Sequence, residues 1–319
     1  MIDNNITENI VFLGDVSLRI YYPNSLKNES SCIVILTSPI YMYEMYCQLD
    51  KMELSNSIEC YALPFMTLNN EYSIDNELLS IVVNDKRPKI IPKTIHSFWF
   101  SGEKKPYSYQ KCVDTWKNVL DDYEIIEWNQ ENYDCNCHPF VKKAIEVGAW
   151  AYASDYARLD VLYKYGGIYL DQDVEVFRPF DPLLCNDAIL SFSSVIQIDL
   201  AVMGSKRDNS LIRSLMDIYD SIDNPKSKEG YTKFFQPVNI RNVLIENGLV
   251  MNGNLQRNSF ATAFPTEFFM PLDTVLFRPY ERTENTFCVH YDNFGWSFSE
   301  GNKRKKKIHD NNTLWRLME

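Results

Sequence analysis

Two aspartates separated by one residue carry the clearest chemical signal in this sequence. Asp171 and Asp173 directly follow the apolar run Ile168–Leu170, which predicts a short buried strand. Side chains at positions i and i+2 of an extended segment point to the same face, so the two carboxylates can reach one point. Such oxygen ligands suit Mg²⁺ or Mn²⁺, and a cation held there can bind a diphosphate and stabilise its charge as it leaves. The spacing alone leaves a solvated turn open as the alternative.

A second pair of charged residues lies upstream, in a segment with helical spacing. Asp155 and Arg158 are three positions apart, which places them on one face of a helix. In a partly buried position this pair can hydrogen-bond sugar hydroxyls and balance the charge of a diphosphate. A plain ion pair within the helix is the alternative.

The segment around these residues alternates between helix and strand. Ala151–Tyr165 repeats apolar residues at helical spacing, and Gly166 and Gly167 end that helix because glycine tolerates left-handed backbone angles. Ile168–Leu170 is the strand that leads into the aspartates, and an alternating pattern continues in Val174–Val176. Such alternation predicts an α/β sheet, in which ligands collect beyond the carboxyl ends of the strands.

Apolar periodicity predicts further elements on both sides of this segment. The predicted helices are Tyr107–Leu120, Phe140–Val147, Ser210–Ile222 and Asn239–Asn247, and the predicted strands are Asn9–Leu13, Leu18–Tyr22, Cys32–Leu36, Ile90–Phe100 and Tyr123–Trp128. The pattern of apolar and polar residues changes near residue 90. We therefore predict an accessory unit of unknown role at 1–89, a catalytic domain at 90–300 and a basic amphipathic tail at 301–319.

The charge balance restricts the class of partner. The chain has 319 residues with 32 basic and 43 acidic side chains, a formal net charge of -11. Nucleic-acid binding relies on Lys and Arg that neutralise phosphates, so no nucleic-acid partner is expected. The eight cysteines form no C-x-x-C pair, which favours reduced thiols. A secretory signal and a long apolar run are not evident, so the expected location is the cytoplasm.

Three linked motifs in consistent order resemble one enzyme family. They are Ile91–Phe100 (IPKTIHSFWF), Ser154–Arg158 (SDYAR) and Tyr165–Asp173 (YGGIYLDQD). The set resembles the DXD-motif sugar-binding glycosyltransferases, which include bacterial capsular-polysaccharide transferases and yeast initiating mannosyltransferases, and it is similar to the catalytic domains of the glucosylating clostridial toxins. Phe264–Phe269 and Val289–Tyr291, with Trp296 and Ser297 after them, resemble closing motifs of the bacterial members.

The resemblance implies a GT-A-type fold, in which a Rossmann-like mixed sheet is flanked by helices, with an extra N-terminal α/β unit in this chain. It implies metal-dependent transfer of a hexose or N-acetylhexosamine from a nucleotide-diphosphate sugar, with a UDP-sugar preferred, and with retention of configuration. Mn²⁺ or Mg²⁺ is the implied cofactor. A glycan or lipid-linked oligosaccharide is the implied acceptor, in bacterial surface polysaccharide synthesis.

The resemblance also implies roles for single residues. Asp173 would ligate the metal directly, Asp171 would contact the ribose or the metal through water, and Asp155 and Arg158 would hold the donor sugar and diphosphate; these four are the implied catalytic residues. The further implied contacts to the nucleotide or diphosphate are His96, Trp99, Tyr169, His290 and Trp296, and His290 is also an implied metal ligand. Trp99 as a core residue and His290 as a structural histidine are the alternatives.

Three features depart from the family pattern. Residues 1–89 precede the segment at which the family usually begins. Gln172 stands between the two aspartates, where Thr or Val is common, and its side chain is expected to point away from the metal. In Gln197–Gly204, where the bacterial members place acceptor- and donor-side residues, the match is loose, so no catalytic nucleophile is assigned.

Two other functions remain open. A strand that ends in D-x-D-x-V also begins the phosphatases of the haloacid dehalogenase type, in which Asp171 would be the nucleophile. A later Lys and a paired-acid motif of that type are not evident in the sequence. The other alternative is a protein that binds a nucleotide sugar without turning it over.

The C-terminal tail predicts contact with a membrane surface. Lys303–Lys307 reads KRKKK and precedes Leu314, Trp315, Leu317 and Met318. Basic residues are attracted to anionic lipid, and aromatic and aliphatic side chains enter the interface. The tail is therefore expected to hold the protein at the inner face of the cell membrane, beside a lipid-linked acceptor. A solvated tail without membrane contact is the alternative.

Overall fold

The computed structural model describes most of the chain between residues 10 and 291. The gaps within that range are residues 14–15, 20, 37–41, 55–57, 63–71, 85, 195–196, 224, 229, 232–233, 235, 271, 274–277 and 280–281. Trp296, Ser297 and the predicted membrane tail therefore lie outside the described residues. Internal contacts divide the chain into two compact units, of which the smaller contains Met1–Asn70 and the larger spans Glu71–Asn302.

The smaller unit contains both strands and a helix. An antiparallel pair is formed by β1 (Ile10–Leu13) and β2 (Val16–Arg19), and a parallel pair by β3 (Cys32–Leu36) and β4 (Ile58–Ala62). Helix α1 (Met42–Asp50) lies between β3 and β4 in the chain, as expected for a parallel connection. The additional N-terminal α/β unit is therefore confirmed.

The larger unit contains the remaining elements. Its helices are α2 (Asn76–Val82), α3 (Tyr107–Val119), α4 (Pro139–Glu146), α5 (Trp150–Tyr165), α6 (Ser210–Asp217), α7 (Gln236–Glu246) and α8 (Thr266–Phe269). Its strands are β5 (Thr94–Phe98), β6 (Glu124–Trp128), β7 (Gly167–Leu170), β8 (Val174–Val176), β9 (Ala188–Ser194), β10 (Gln197–Ser205), β11 (Gln256–Arg257), β12 (Thr262–Phe264), β13 (Leu272–Asp273), β14 (Arg278–Pro279) and β15 (Cys288–His290).

Seven of the described strands form one mixed sheet, in the spatial order β11-β12-β9-β10-β7-β5-β6. Strand β5 pairs in parallel with both β6 and β7, whereas β10 pairs antiparallel with β7 and β9. Two hydrophobic clusters cover the sheet. One contains the apolar residues of α4, α5 and α6, and the other those of α3 and α8. The predicted α/β class, with a mixed sheet flanked by helices, is confirmed.

The boundary between the compact units lies earlier than the join predicted at residue 89. Val82 of α2 is fully buried in the second hydrophobic cluster, where half-buried Leu78 and Leu79 pack against it. The backbone N–H of Asn84 donates to the carbonyl of Pro182 at 2.8 Å. Residues of α2 therefore belong to the larger unit, because their apolar face is buried there. The division into functional domains stays a prediction.

Among the described residues, no helix is both long enough and apolar enough to cross a membrane.

Candidate metal and donor site

The turn between α5 and β7 depends on two glycines. Gly166 and Gly167 have φ values of +68° and +111°, which side-chain-bearing residues rarely adopt. A Cβ on Gly167 would lie 2.6 Å from the carbonyl oxygen of Thr94 in β5. Glycine therefore allows β7 to approach β5 closely at this point. The strand that follows carries the aspartate pair to the carboxyl edge of the parallel strands.

Backbone hydrogen bonds hold the segment after β7 in place. The N–H of Asp171 donates to the carbonyl of Ala201 in β10 at 2.9 Å, and the N–H of Val174 donates back to the carbonyl of Asp171 at 3.1 Å. Strand β8 then pairs antiparallel with β15, and His290 lies opposite Val174. The indole N–H of Trp116 in α3 donates to the carbonyl of Val174 at 2.7 Å. These contacts bring His290 beside Asp173.

The two aspartates and His290 form a candidate cation site. One ligand atom from each of Asp171, Asp173 and His290 lies within 4.8 Å of the other two. The Nε2 atom of His290 is 3.3 Å from Oδ1 of Asp173, and both side chains are about nine-tenths buried, with 8% and 11% exposed. Two carboxylate oxygens and one imidazole nitrogen fit a divalent ion such as Mn²⁺, because carboxylates suit Mg²⁺ and Mn²⁺ while imidazole favours the transition metal.

Arg158 lies next to this cluster, and its guanidinium has several partners. Its Nη1 donates to the carbonyl of Leu200 at 2.9 Å, and its Nη2 is 3.0 Å from Asp155 and 3.5 Å from Asp171. The guanidinium also lies over the ring of Tyr169, 4.5 Å from its centre. Burial alone would lower the pKa of Arg158, but the charges of Asp171 and its neighbours raise it, so the group stays a cation. A fixed positive charge therefore stands next to the candidate metal ligands.

Asp155 is only partly buried, unlike its neighbours in α5. All the remaining residues from Tyr152 to Leu162 are buried. Burial raises the pKa of the Asp155 carboxyl to about 7, and the negative charges of Asp171 and Asp199 add to this rise while Arg158 opposes it. The pKa of Asp171 is also raised, chiefly by burial. These groups are held close together although they repel one another, which is typical of a binding site.

Gln172 directs its side chain to other strands of the sheet. Its Nε2 donates to Oγ of Ser97 at 2.8 Å and lies 3.4 Å from a carboxylate oxygen of Glu127. Ser97 in turn donates to the carbonyl of Leu170 at 2.8 Å. Gln172 therefore connects the segment 171–173 to β5 and β6. The carboxylates of Asp171 and Asp173 form the candidate cation site.

Trp99 follows β5 at the carboxyl edge of the sheet and is half-buried. Its ring meets that of Tyr109 in α3 edge to face, with centres 6.1 Å apart. Burial raises the pKa of the Tyr109 hydroxyl to about 12, and the charges of Asp173 and Asp171 raise it further. Tyr109 therefore contacts Trp99 and is also influenced by the charges of the two aspartates. Tyr109 was not predicted as a site residue, because a Tyr on an amphipathic helix has the pattern of an ordinary packing residue.

Two residues assigned to the nucleotide from the sequence have different surroundings. His96 is fully buried, its Nε2 is 2.8 Å from the carbonyl of Gly166, and its Nδ1 accepts from the indole of Trp128 at 3.1 Å. Both ring nitrogens are therefore used within the core, and the structure does not bring His96 to the site. Tyr169 is 2% exposed, and its hydroxyl donates a hydrogen bond to Asp171. It therefore holds Asp171 in position from within the core.

The segment that carries most of the site matches a described protein family. Residues 106–190 match the sequence model of the family "Glycosyltransferase sugar-binding region containing DXD motif". This part of the chain carries the sequence features of that family. The resemblance inferred from the motifs is confirmed. The matched segment contains both charged pairs, whereas Trp99 and His290 lie outside it.

Two named relatives are similar to about half of the chain. Inositol phosphoceramide mannosyltransferase 3 of Schizosaccharomyces pombe is 30% identical over 164 residues, which cover 47% of this chain and 44% of the relative. Mannosyl phosphorylinositol ceramide synthase SUR1 of Saccharomyces cerevisiae is 29% identical over 160 residues, which cover 47% of this chain and 41% of the relative. The similarity therefore spans less than half the length of either relative.

Similar solved structures are distant. The PaToxG glycosyltransferase gives a TM-score of 0.38 at 16% identity, covering 54% of this chain and 76% of that one. A glycosyltransferase involved in glycosylation of the major capsid of PBCV-1 gives a TM-score of 0.34 at 11% identity, covering 67% of this chain and 98% of that one.

Proposed function

We propose that the protein transfers a hexose or N-acetylhexosamine from a nucleotide-diphosphate sugar to a hydroxyl group of an acceptor, with a divalent cation as cofactor. The observation that carries the proposal is the cluster of Asp171, Asp173 and His290 beside the buried Arg158. A cluster of carboxylates alone would repel a diphosphate. A cation together with a fixed guanidinium makes the same place attractive to it.

The residues of the chain have separate tasks in this proposal. Asp171, Asp173 and His290 would hold the cation. The cation would neutralise charge on the departing diphosphate. Arg158 supplies a permanent positive charge whose position is fixed by Leu200, Asp155 and the Tyr169 ring. A group that is already oriented stabilises developing charge without reorganising during the reaction. Retention of configuration is part of the proposal through the motif resemblance, and the anomeric proton signals of the product test it.

The donor and acceptor classes rest on different support. The motif resemblance favours UDP-sugars, whereas the two relatives named above are, by their names, enzymes that attach mannose to inositol phosphoceramide. A GDP-mannose donor and an acceptor with a phosphoinositol head group are therefore part of the tested range. A role in bacterial surface polysaccharide synthesis, with a glycan or lipid-linked oligosaccharide acceptor, stays a proposal from the motifs alone.

Product analysis separates the transferase from both alternatives. The purified protein is incubated with UDP-glucose, UDP-galactose, their N-acetylamino forms and GDP-mannose, with Mn²⁺ or with chelator. Slow, Mn²⁺-dependent release of nucleoside diphosphate from one donor is the expected result, since water can take the place of the acceptor hydroxyl. Release of inorganic phosphate would favour the phosphatase. Mn²⁺-dependent binding without any release would favour the non-catalytic binder.

Location is a separate proposal. We propose a cytoplasmic protein that attaches peripherally to anionic membrane through residues 303–319, because five cations precede four apolar residues there. Co-sedimentation with phosphatidylserine vesicles, before and after removal of residues 303–319, tests this. Binding that disappears with the tail is expected, and binding that is unchanged without the tail would exclude this role.

A further inference from the structure

His290 lies near the end of the part of the chain that the structure describes. Strand β15 spans the three residues Cys288–His290, and it pairs with β8 in a two-stranded sheet apart from the main one. Two short strands on their own are only marginally stable in water. Further contacts are therefore needed to hold the C-terminal end of β15, where the imidazole lies.

Tyr291, the next residue, makes two contacts with the segment that contains β8. Its backbone N–H donates to the carbonyl of Asp173 at 3.2 Å. Its hydroxyl donates to a carboxylate oxygen of Glu175. His290 lies opposite Val174, between these two partners. Tyr291 therefore joins the strand that carries the imidazole to the residues on both sides of the one that the imidazole faces.

The polar contact explains this tyrosine better than packing does. The residue is 42% exposed, so its ring contributes little to the core. Partial burial, and then the hydrogen bond to Glu175 and the charge of that carboxylate, raise the pKa of the Tyr291 hydroxyl, so it keeps its proton and stays a donor. A hydrogen bond from a hydroxyl to a carboxylate is about twice as strong as one between neutral groups.

Metal binding is sensitive to such a contact. The Nε2 atom of His290 is 3.3 Å from Oδ1 of Asp173. A metal ion requires its ligand atoms within about 0.2 Å of their ideal distances, so the groups that orient a ligand also affect the affinity. Within the described residues, Glu175 is not one of the candidate cation ligands, which leaves its carboxylate to accept from Tyr291.

We propose that Tyr291 is a positioning residue for the cation site: its hydrogen bond to Glu175 keeps the imidazole of His290 in place. This inference rests on the proposed function, because it takes Asp171, Asp173 and His290 as the cation ligands. Tyr291 does not bind the cation in this proposal. It acts through His290, so its effect on metal binding disappears when the imidazole is absent.

The electron paramagnetic resonance signal of free Mn²⁺, with Mg²⁺ as competitor, measures this effect on the full-length protein. Tyr291→Phe removes the hydroxyl and keeps both the ring and the backbone N–H. We expect the Mn²⁺ affinity to fall about tenfold, as for the loss of a group that orients a metal ligand. The Mg²⁺ affinity should fall less, because the imidazole favours the transition metal. Tyr165→Phe is the matched control, since Tyr165 is also exposed, at 54%, and it should leave both affinities unchanged.

Variants of Glu175 separate the hydrogen bond from the charge. Glu175→Gln removes the negative charge, but its amide oxygen can still accept from Tyr291, so this variant should keep most of the Mn²⁺ affinity. Glu175→Ala removes both and should lose at least as much affinity as Tyr291→Phe. Adding Tyr291→Phe to Glu175→Ala should cost nothing further, because the two side chains form one contact. A loss in Glu175→Gln as large as that in Glu175→Ala would overturn the proposal in favour of a charge effect.

The decisive comparison uses His290→Ala as a background. Tyr291→Phe should have no further effect on Mn²⁺ affinity there, because the residue through which it acts is gone. An equal loss with and without the imidazole, equal losses for Mn²⁺ and Mg²⁺, or an unchanged affinity in Tyr291→Phe would each overturn the assignment of Tyr291. A wild-type protein that binds no Mn²⁺ would instead reject the cation site, and with it the proposed function.

Discussion

At the scale of single residues, the site combines groups that would oppose folding if they were isolated. Arg158 is surrounded by Asp155, Asp171 and two backbone carbonyls, so its buried charge is compensated. The carboxylates are less well balanced, since burial raises the pKa of both Asp155 and Asp171. Keeping several carboxylates together in a partly buried place lowers the stability of the fold. Such unfavourable arrangements are expected at functional sites.

The raised pKa of Asp155 predicts a pH-dependent gain from its removal. A carboxyl whose folded-state pKa is about 7 binds its proton more tightly in the folded than in the unfolded protein. Its ionised form therefore opposes folding, and stability is lost as the pH rises from about 4 towards 7, by up to roughly 4 kcal/mol. In metal-free protein, Asp155→Asn should melt at a higher temperature than wild type at pH 8, with little difference at pH 4.

The charged neighbours of Asp155 are Arg158, Asp171 and Asp199, and Arg158 limits the gain by losing one partner. Asp121→Asn is the matched exposed control and should melt like the wild type at both pH values. A melting temperature of Asp155→Asn that differs from wild type by the same amount at pH 4 and pH 8 would contradict this account of the carboxyl.

His290 predicts a preference among metals. An imidazole nitrogen in the ligand set favours Mn²⁺ over Mg²⁺. His290→Ala should therefore weaken Mn²⁺ binding by about 10- to 100-fold and Mg²⁺ binding by less. The electron paramagnetic resonance signal of free Mn²⁺, with Mg²⁺ as competitor, measures both affinities. Unchanged Mn²⁺ affinity in the variant would remove His290 from the ligand set.

Single residues of the site differ in how far the sequence predicts them. Asp171 and Asp173 were named from their spacing in a segment expected to be extended, whereas the structure places them in the turn between β7 and β8, where their carboxylates still come close together. His290 could be named only through the motif resemblance, since its approach to Asp173 depends on the pairing of β8 with β15. Tyr109 has no local signal, because its contact with Trp99 arises only when α3 packs beside the end of β5. His96 looked functional in its motif, yet its partners are in the core.

At the scale of elements, the turn from α5 to β7 sets the position of the aspartate pair. The helix and the strand were predictable, since apolar spacing and the two glycines define their ends. The predicted strand Ile90–Phe100 is shorter in the structure, where it spans Thr94–Phe98. The N–H groups of Ile90 and Ile91 donate to the carbonyl of Leu184 and not to a strand of the sheet. Such long-range partners are invisible in a local pattern.

The close approach at Gly167 predicts a large effect of a single methyl group. In Gly167→Ala, the new Cβ would lie 2.6 Å from the carbonyl of Thr94 at a φ of +111°. We expect a loss of about 2–4 kcal/mol or more in the free energy of unfolding, from strain plus overpacking. Urea denaturation followed by circular dichroism measures it.

Gly102→Ala is the matched control for that substitution. Gly102 also has a positive φ, of +69°, but its Cβ would have no neighbouring atom within 4 Å. It should lose only about 1 kcal/mol, the cost of the backbone conformation alone. Similar losses in the two variants would show that the close approach of β7 to β5 is not what requires glycine at Gly167.

At the scale of the whole molecule, the buried apolar residues of both clusters come from one part of the chain. The two hydrophobic clusters contain no described residue before Ile74. Removal of residues 1–70 therefore leaves both clusters complete, whereas removal of 1–89 takes away Val82 and the α2 residues that pack with it. The first deletion should still unfold cooperatively with a melting temperature near that of the larger unit in wild type.

The second deletion should be less stable by several kcal/mol, roughly the cost of losing a buried aliphatic side chain and its neighbours. Differential scanning calorimetry of the two variants compares them. Equal melting temperatures after both deletions would place the structural boundary at residue 89, as the sequence texture suggested.

The protein has a net charge of -11, which repels an anionic diphosphate, so binding of the donor depends on the cation. The most direct test is titration of the wild type and of Asp173→Asn with the nucleotide sugars, in Mn²⁺ and in chelator, with Asp121→Asn as control. We predict binding that requires Mn²⁺, is unchanged in Asp121→Asn and is weakened at least ~100-fold in Asp173→Asn, because a cation site loses one of its charged ligands. Binding that persists in chelator, or that Asp173→Asn leaves intact, would contradict the claim that Asp171, Asp173 and His290 hold the cation that binds the donor.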